Sequence, residues 1–308
     1  MATEIPFRRD FTFQYGTSEN LSPLVRRVVA RNPSPFTFKG TGTYVVGHGK
    51  VAVIDPGPDL AEHVDALLDA LRGETVTHIL ITHTHLDHSP AAAAVKRATG
   101  APTYGYGPHG SGRAEDRTGV GGHTEEGGDR AFVPDHELRE GDAVEGPGWR
   151  MTALETPGHT SNHLCFALAE ESTLFTGDHV MGWSTSVIAP PDGDMHAYMH
   201  SLAKLRARSD ALYRPTHGPE IPQPQPFVDA FIAHRNERTD AILARLAAGD
   251  QTIAAIVRAV YVGLDPRLVT AAGRSVLAHL VALVEEGRVQ SDGPPRIDAR
   301  YRLRSIAT

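Results

Sequence analysis

The sequence predicts an α/β chain that ends in a small winged helix. Three observations carry this. Short β-branched runs alternate with helical patterns along most of the chain. Histidines and aspartates stand where those runs end. After Gly249-Asp250 the order changes to helix, helix and two short extended pieces. The length of 308 residues agrees with about two domains at ~150 residues each.

Each element has a local cause. Thr43-Tyr44-Val45-Val46 and Val51-Ala52-Val53-Ile54 read as strands about a turn at 47–50. Asp55-Pro56-Gly57-Pro58 ends the second strand, because proline cannot donate to a ladder. Residues 60–71 place Leu60, Val64, Leu67, Leu68 and Leu71 at helical spacing. Residues 78–82 read as a buried strand. Ser89 then stands where it would cap a helix that starts at Pro90 and ends before Gly100. The Gly-, His- and charge-rich stretch 104–130 reads as a long surface loop. Strands return near 149–154, 163–168 and 172–176, and helices at 195–208 and 227–246. Phe227, Val228, Phe231, Ile232, Ile242, Leu243 and Leu246 give the last helix too much apolar surface for a free linker. It should dock on the α/β body, with Gln223-Pro224-Gln225-Pro226 as a stiff connection before it. The tail then reads as helix 252–262, helix 266 to about 286, and a hairpin about Gly293-Pro294-Pro295.

Composition excludes several classes. With 40% hydrophobic and 22% charged residues the chain can bury a core, which disordered chains cannot. A net charge of −7 disfavours a mainly nucleic-acid-binding protein. Residues 251–308 hold eight arginines and five acidic residues, net +3, so residues 1–250 carry −10. The single cysteine, Cys165, excludes a disulfide framework and a thiolate-rich metal site. No run reads as a membrane span of ~20 apolar residues, so no membrane partner is expected. Arg8 and Arg9 are not followed by an apolar stretch, so a cytoplasmic location is expected.

Histidine is the outlier, with 17 residues against one cysteine. His83-Thr84-His85-Leu86-Asp87-His88 sets three imidazoles and a carboxylate within six residues, directly after an apolar run. On an extended loop His83 and His85 point the same way. Imidazole and carboxylate together suit zinc, manganese or iron. His159, Asp178 and His217 each stand where a strand gives way to a Gly-containing loop: Thr156-Pro157-Gly158-His159, Thr176-Gly177-Asp178 and Thr216-His217-Gly218. Lesser candidates follow. His179 reads as a partly buried histidine bonded to backbone, or else as a group supporting the metal ligands or a proton donor to the leaving group. Trp183, Ser184, Thr185 and Ser186 read as a cleft lining or an ordinary loop. His109 and His123 read as solvated loop residues. Arg235 and Arg238 read as intrahelical or interdomain pairs, with phosphate contact as the alternative.

Taken in order, Asp55, His83-X-His85-X-Asp87-His88, His159, Asp178 and His217 resemble the five motifs of the metallo-β-lactamase superfamily. The resemblance implies an αβ/βα four-layer sandwich with a dinuclear site. His83, His85 and His159 would hold a first ion. Asp87, His88 and His217 would hold a second, Asp178 would bridge them, and Asp55 would orient a histidine ligand. Leu21-Ser22-Pro23, Asn32-Pro33-Ser34-Pro35, the run 39–44, His234-Arg235-Asn236-Glu237-Arg238 and the tail narrow the likeness to the β-lactamase-like protein 2 family. The implied division is a hydrolase domain over 1–249, including the connecting helix 227–246, and a winged-helix domain over 250–308.

The implied activity is hydrolysis by a hydroxide shared between two divalent ions, zinc foremost, with manganese or iron as alternatives. A metal lowers the pKa of bound water from 15.7 to roughly 7. Asp87, Asp178 and Asp55 are the expected catalytic carboxylates. The expected substrate is a small-molecule ester, thioester or lactone. Single-stranded RNA is the alternative, because the mitochondrial member of the family is an endoribonuclease. A non-catalytic nucleic-acid-binding protein is the third reading. One major group of true β-lactamases carries cysteine at the position of Asp178, so antibiotic hydrolysis is not expected.

Overall fold

In the computed structural model, which describes residues 3–113 and 127–304, two β-sheets lie face to face between layers of helix. The first sheet runs in chain order through β1 (Ser18–Asn20), β2 (Val25–Val29), β3 (Gly42–Val46), β4 (Lys50–Ile54), β5 (Thr75–Leu80), β6 (Thr103–Gly105) and β7 (His136–Glu137). Its strands pair antiparallel up to β4 and parallel from β4 onward. The second sheet has β8 (Ala143–Gly146), β9 (Trp149–Glu155), β10 (Leu164–Leu168), β11 (Thr173–Gly177), β12 (Leu212–Pro215) and β13 (Ile221–Pro222) in adjacent order. Only β11 and β12 are parallel there, joined by a crossover that contains α3 (Met195–Arg206).

Period-two alternation builds the layers. Tyr44, Val46, Ala52 and Ile54 face inward and pack with Trp149, Met151, Ala153, Phe166 and Phe175 of the second sheet. Their neighbours Val45, Val51 and Val53 face outward against Leu67 and Leu71 in and after α1 (Ala61–Ala70) and Val95 of α2 (Ala92–Thr99). On the far side Cys165, Leu174 and Tyr213 meet Tyr198, Leu202 and Leu205 of α3, and Phe227, Val228 and Phe231 of α4 (Pro224–Ala247). The connecting helix is therefore docked, and the four layers run α, β, β, α.

The tail forms α5 (Ile253–Val260), α6 (Val269–Glu285) and a hairpin of β14 (Val289–Ser291) and β15 (Tyr301–Leu303). Its core of Ile253, Ile256, Val276, Leu280, Val289 and Tyr301 closes on Ile242 and Leu246 of α4. By length and composition Pro266–Glu285 is apolar enough to cross a membrane, contrary to the expectation that no run is. Here Val276, Leu277, Leu280 and Leu283 serve as core side chains.

Local differences have physical causes. Ser89 does not cap α2, because its hydroxyl donates to Asp129 Oδ2 at 2.7 Å, and α2 starts at Ala92 without a side-chain cap. Gly100 ends that helix in the left-handed region as expected. The Gln-Pro-Gln-Pro stretch is the start of α4 and not a connection, because Pro224 sits in the first turn, where no N–H is needed. The charged strand β2 escapes a hydrophobic pattern because its arginines are paired. Arg27 bonds Glu19 at 2.7 Å and lies 4.6 Å over the Phe11 ring, and Arg26 bonds Glu74 at 2.6 Å.

Candidate metal centre

Strands β4, β5, β9, β11 and β12 supply the site from the loops at their C-terminal ends. Asp55 follows β4, the run 83–88 follows β5, His159 follows β9, Asp178 follows β11 and His217 follows β12. All eight residues converge at this edge. Asp55 takes a left-handed turn (φ 49°), which aspartate tolerates better than most residues. Gly177 precedes Asp178 with φ +51°, and a Cβ there would lie 2.6 Å from His163 Nε2. Glycine is thus required to bring Asp178 against that ring.

The side chains gather into three groups whose nitrogen and oxygen atoms lie within 4.8 Å of one another: His83, His85 and His159; His83, His88 and Asp178; Asp87, His88 and His217. His85 Nδ1 is 3.0 Å from His83 Nε2 and 3.1 Å from His159 Nε2. His217 Nε2 is 3.1 Å from Asp87 Oδ2 and 3.4 Å from Asp178 Oδ1. Asp178 Oδ2 reaches the other way, 3.7 Å from His88 Nε2 and 3.8 Å from His159 Nε2. Asp178 therefore stands between the two histidine groups.

Hydrogen bonds behind the site fix the ring tautomers. His88 Nδ1–H donates to Asp55 Oδ2 at 3.0 Å. The same carboxylate accepts Thr82 N–H at 2.8 Å, the Thr82 hydroxyl at 2.7 Å and the Thr216 hydroxyl at 3.1 Å. Because the Thr82 hydroxyl points at Asp55, its oxygen accepts His83 Nδ1–H at 3.1 Å. His159 Nδ1–H donates to the Val187 carbonyl at 2.6 Å, and His217 Nδ1–H to the Gly40 carbonyl at 3.2 Å. Four rings thus turn Nε2 to the same space, an arrangement that suits metal-binding imidazoles.

Electrostatics agree with cation binding. Burial, aided by neighbouring imidazoles, holds His83 well below the ordinary histidine range and brings His85 down to about 3, so both are neutral donors. Burial lowers His88 and His217 as well, but the carboxylates outweigh it. They raise His88 well above its ordinary value and bring His217 up to about 10. Burial would raise Asp87 and Asp178, yet the two imidazoles keep both carboxyls well below the usual range. The carboxylate pair demands positive charge, which protons or divalent cations supply. His88 Nε2 and Asp178 Oδ1 are buried with no hydrogen-bond partner, as atoms reserved for a cation would be.

Other candidates fall out differently. His179 is fully buried against Tyr198, with ring centroids 4.6 Å apart. Neither ring nitrogen has a partner, so the expected bond to backbone is absent. Burial foremost brings its pKa down to about 3, which leaves it a neutral imidazole. Trp183 stacks on Phe38 at 4.8 Å, and the Ser186 hydroxyl donates to the His179 carbonyl at 2.8 Å. His109 is not a solvated loop residue. It is half-buried, its Nδ1 is 2.8 Å from Thr84 Oγ1, and its ring lies 6.3 Å from that of His85. His123 lies outside the described residues, as does part of the expected 104–130 loop, whose described start forms β6. His163, not among the expected residues, stacks on His83 at 5.1 Å and accepts Asp178 N–H at 3.3 Å. Its position inside an apolar strand pattern gave no signal.

Residues 37–217 match the family model described as the metallo-beta-lactamase superfamily. The chain belongs to this superfamily. Residues 252–296 match a second model, the beta-lactamase associated winged helix domain. A beta-lactamase-like protein 2 homolog of Caenorhabditis elegans is 29% identical, covering 89% of this chain and 88% of its own. The atrochrysone carboxyl ACP thioesterase AacuM of Aspergillus aculeatus is 32% identical, covering 74% of this chain and 66% of its own. The solved structure of a beta-lactamase domain protein from Burkholderia ambifaria shares the fold, with a TM-score of 0.79, 21% identity and 96% of each chain covered. As a metallo-β-lactamase superfamily member the chain is a hydrolase, and the histidine–aspartate cluster lies within the matched segment.

Proposed function

We propose that the protein is a dinuclear metal-dependent hydrolase of an ester-type bond, with carboxyl thioesters as its substrate class. The observation that carries this is Asp178, whose Oδ2 lies between His159 of the first group and His88 of the second, and whose Oδ1 faces His217 and is buried without a hydrogen bond. His83, His85 and His159 would hold a first ion and Asp87, His88 and His217 a second, with Asp178 placed between the two sets. Zinc fits the nitrogen and oxygen donors, with manganese or iron as alternatives. Ions bound there supply Lewis acidity and lower the pKa of water to about 7.

The protein's own groups do the rest. Asp55 keeps the His88 lone pair on the site, as the Val187 and Gly40 carbonyls do for His159 and His217. Asp87 is the more open carboxylate, with 27% of its side chain exposed against 10% for Asp178. His179, buried and neutral, is not an imidazolium acid for a leaving group. That favours a thiol, with a pKa near 8.5, over leaving groups that must be protonated. The relative named as an acyl-carrier thioesterase supports the same class. Arg235, 3% exposed, is sealed away from an RNA phosphate.

The test is a parallel assay of metal-loaded protein on acyl thioesters, esters, lactones and single-stranded RNA, with His83→Ala as the blank. Thioester turnover that vanishes in His83→Ala is expected. RNA cleavage with inert thioesters overturns the substrate class. Salt-dependent RNA binding without turnover of any substrate overturns the enzyme reading.

A further inference from the structure

The run His234-Arg235-Asn236-Glu237-Arg238 on α4 has no part in the site so far. Arg235 is 3% exposed, and its guanidinium lies 5.1 Å from the centre of the Tyr198 ring. Its Nη2 donates to the Ser186 carbonyl. Ser186 lies in a strap, 184–188, that runs behind the metal centre. The Ser186 hydroxyl donates to the carbonyls of Asp178 and His179, and the next carbonyl, that of Val187, accepts His159 Nδ1–H at 2.6 Å. The Tyr198 hydroxyl also donates to the His179 carbonyl, at 2.9 Å. Three residues further along α4, on the same face, Arg238 donates to the Val260 carbonyl at 3.1 Å and lies 4.5 Å over Tyr261, where α5 ends.

We propose that Arg235 is a positioning residue for the first ion, and that α4 thereby ties the winged helix to the metal centre. This rests on the dinuclear reading above. With the strap held, the Val187 carbonyl keeps the proton on His159 Nδ1 and leaves the Nε2 lone pair to the site. With the strap released, His159 loses its tautomer and its aim. Loss of such an orienting partner lowers metal affinity by roughly 10–100-fold. The Asp87, His88 and His217 group is oriented by Asp55 and Gly40 instead, and keeps its affinity. Arginine suits the position because one planar group bonds a carbonyl and covers a ring at once, which lysine does less well.

The test is titration of the metal-free full chain with Co2+, followed by its visible ligand-field spectrum, in wild type, R235M and R235K. Circular dichroism establishes that each variant is folded. Wild type should take two equivalents. R235M should bind one of them roughly 10–100-fold more weakly and with an altered band, and R235K should recover part of the loss. R245M, on the same helix but paired to Asp250, should match wild type. A folded R235M with both equivalents at wild-type affinity and spectrum overturns the inference. If R235M does not fold, a folded R235K with unchanged affinity overturns it, because the guanidinium then serves the fold alone. A wild type that takes no Co2+ overturns the dinuclear reading instead.

Discussion

Asp55 Oδ2 and His88 Nδ1 lie 3.0 Å apart at the edge between the two sheets, and the Asp55 carboxylate gathers three further donors from the ends of β5 and β12. One side chain from β4 therefore aims a ligand of the 83–88 run and ties both sheets at the site. Asp55→Asn should weaken binding of the ion shared by Asp87, His88 and His217 by roughly 10–100-fold. Competition with a chromogenic chelator measures this. Unchanged affinity would mean that His88 needs no partner.

Cys165 is the natural suspect for anyone expecting a thiol nucleophile in a thioesterase. It is fully buried, and burial pushes its thiol up to about 12 despite the hydrogen bond with Thr156. A thiol reagent should leave the native protein unlabelled and fully active, and Cys165→Ser should keep kcat. Inactivation that tracks labelling would argue for covalent catalysis and against the metal.

His279 offers a pH test away from the metal. It is 1% exposed in α6, bonded to Thr239 Oγ1 at 3.0 Å, and burial foremost brings its pKa down to about 3. Between pH 6.5 and 3 the unfolded chain binds this proton and the folded chain does not, so stability falls as pH falls. At pH 5 this one group costs about 2 kcal/mol relative to pH 7. Urea unfolding at both values should show a smaller acid loss in His279→Gln. An equal loss would place the acid sensitivity elsewhere.

A cleft of ≈ 360 Å³ separates the His159 loop from the winged helix, with Pro157, Gly158 and Ser161 on one wall and Ala278, Val281 and Ala282 on the other. The tail thus walls a cleft whose opposite wall is the loop that carries His159. Val281→Trp should raise KM several-fold for a bulky acyl thioester while kcat holds, the pattern of binding shared by ground and transition state. Unchanged KM would leave the tail without a role in substrate choice.

Much of this was legible because the site residues sit at strand ends. A buried run followed by His-X-His-X-Asp-His is local, and so are Gly177-Asp178 and Gly158-His159. The helices announced themselves by period, down to Gly100 at the end of α2. What stayed hidden depends on partners far away in sequence. The arginines of β2 look wrong for a strand until Glu19 and Glu74 are beside them. Ser89 looks like a cap until Asp129 takes its hydroxyl. His163 and His109 join the site through rings and hydroxyls that the fold delivers, and nothing local marks them.

Asp178 lies between the two ligand groups, so two cations bound there would share it. Elemental metal analysis of the purified full chain, set beside Asp178→Ala and His83→Ala, tests that most directly. Close to two ions per chain are expected in wild type, with lowered metal content and lost hydrolysis in both variants, each still folded by circular dichroism. A folded wild type that hydrolyses its substrate with one ion or none would contradict this.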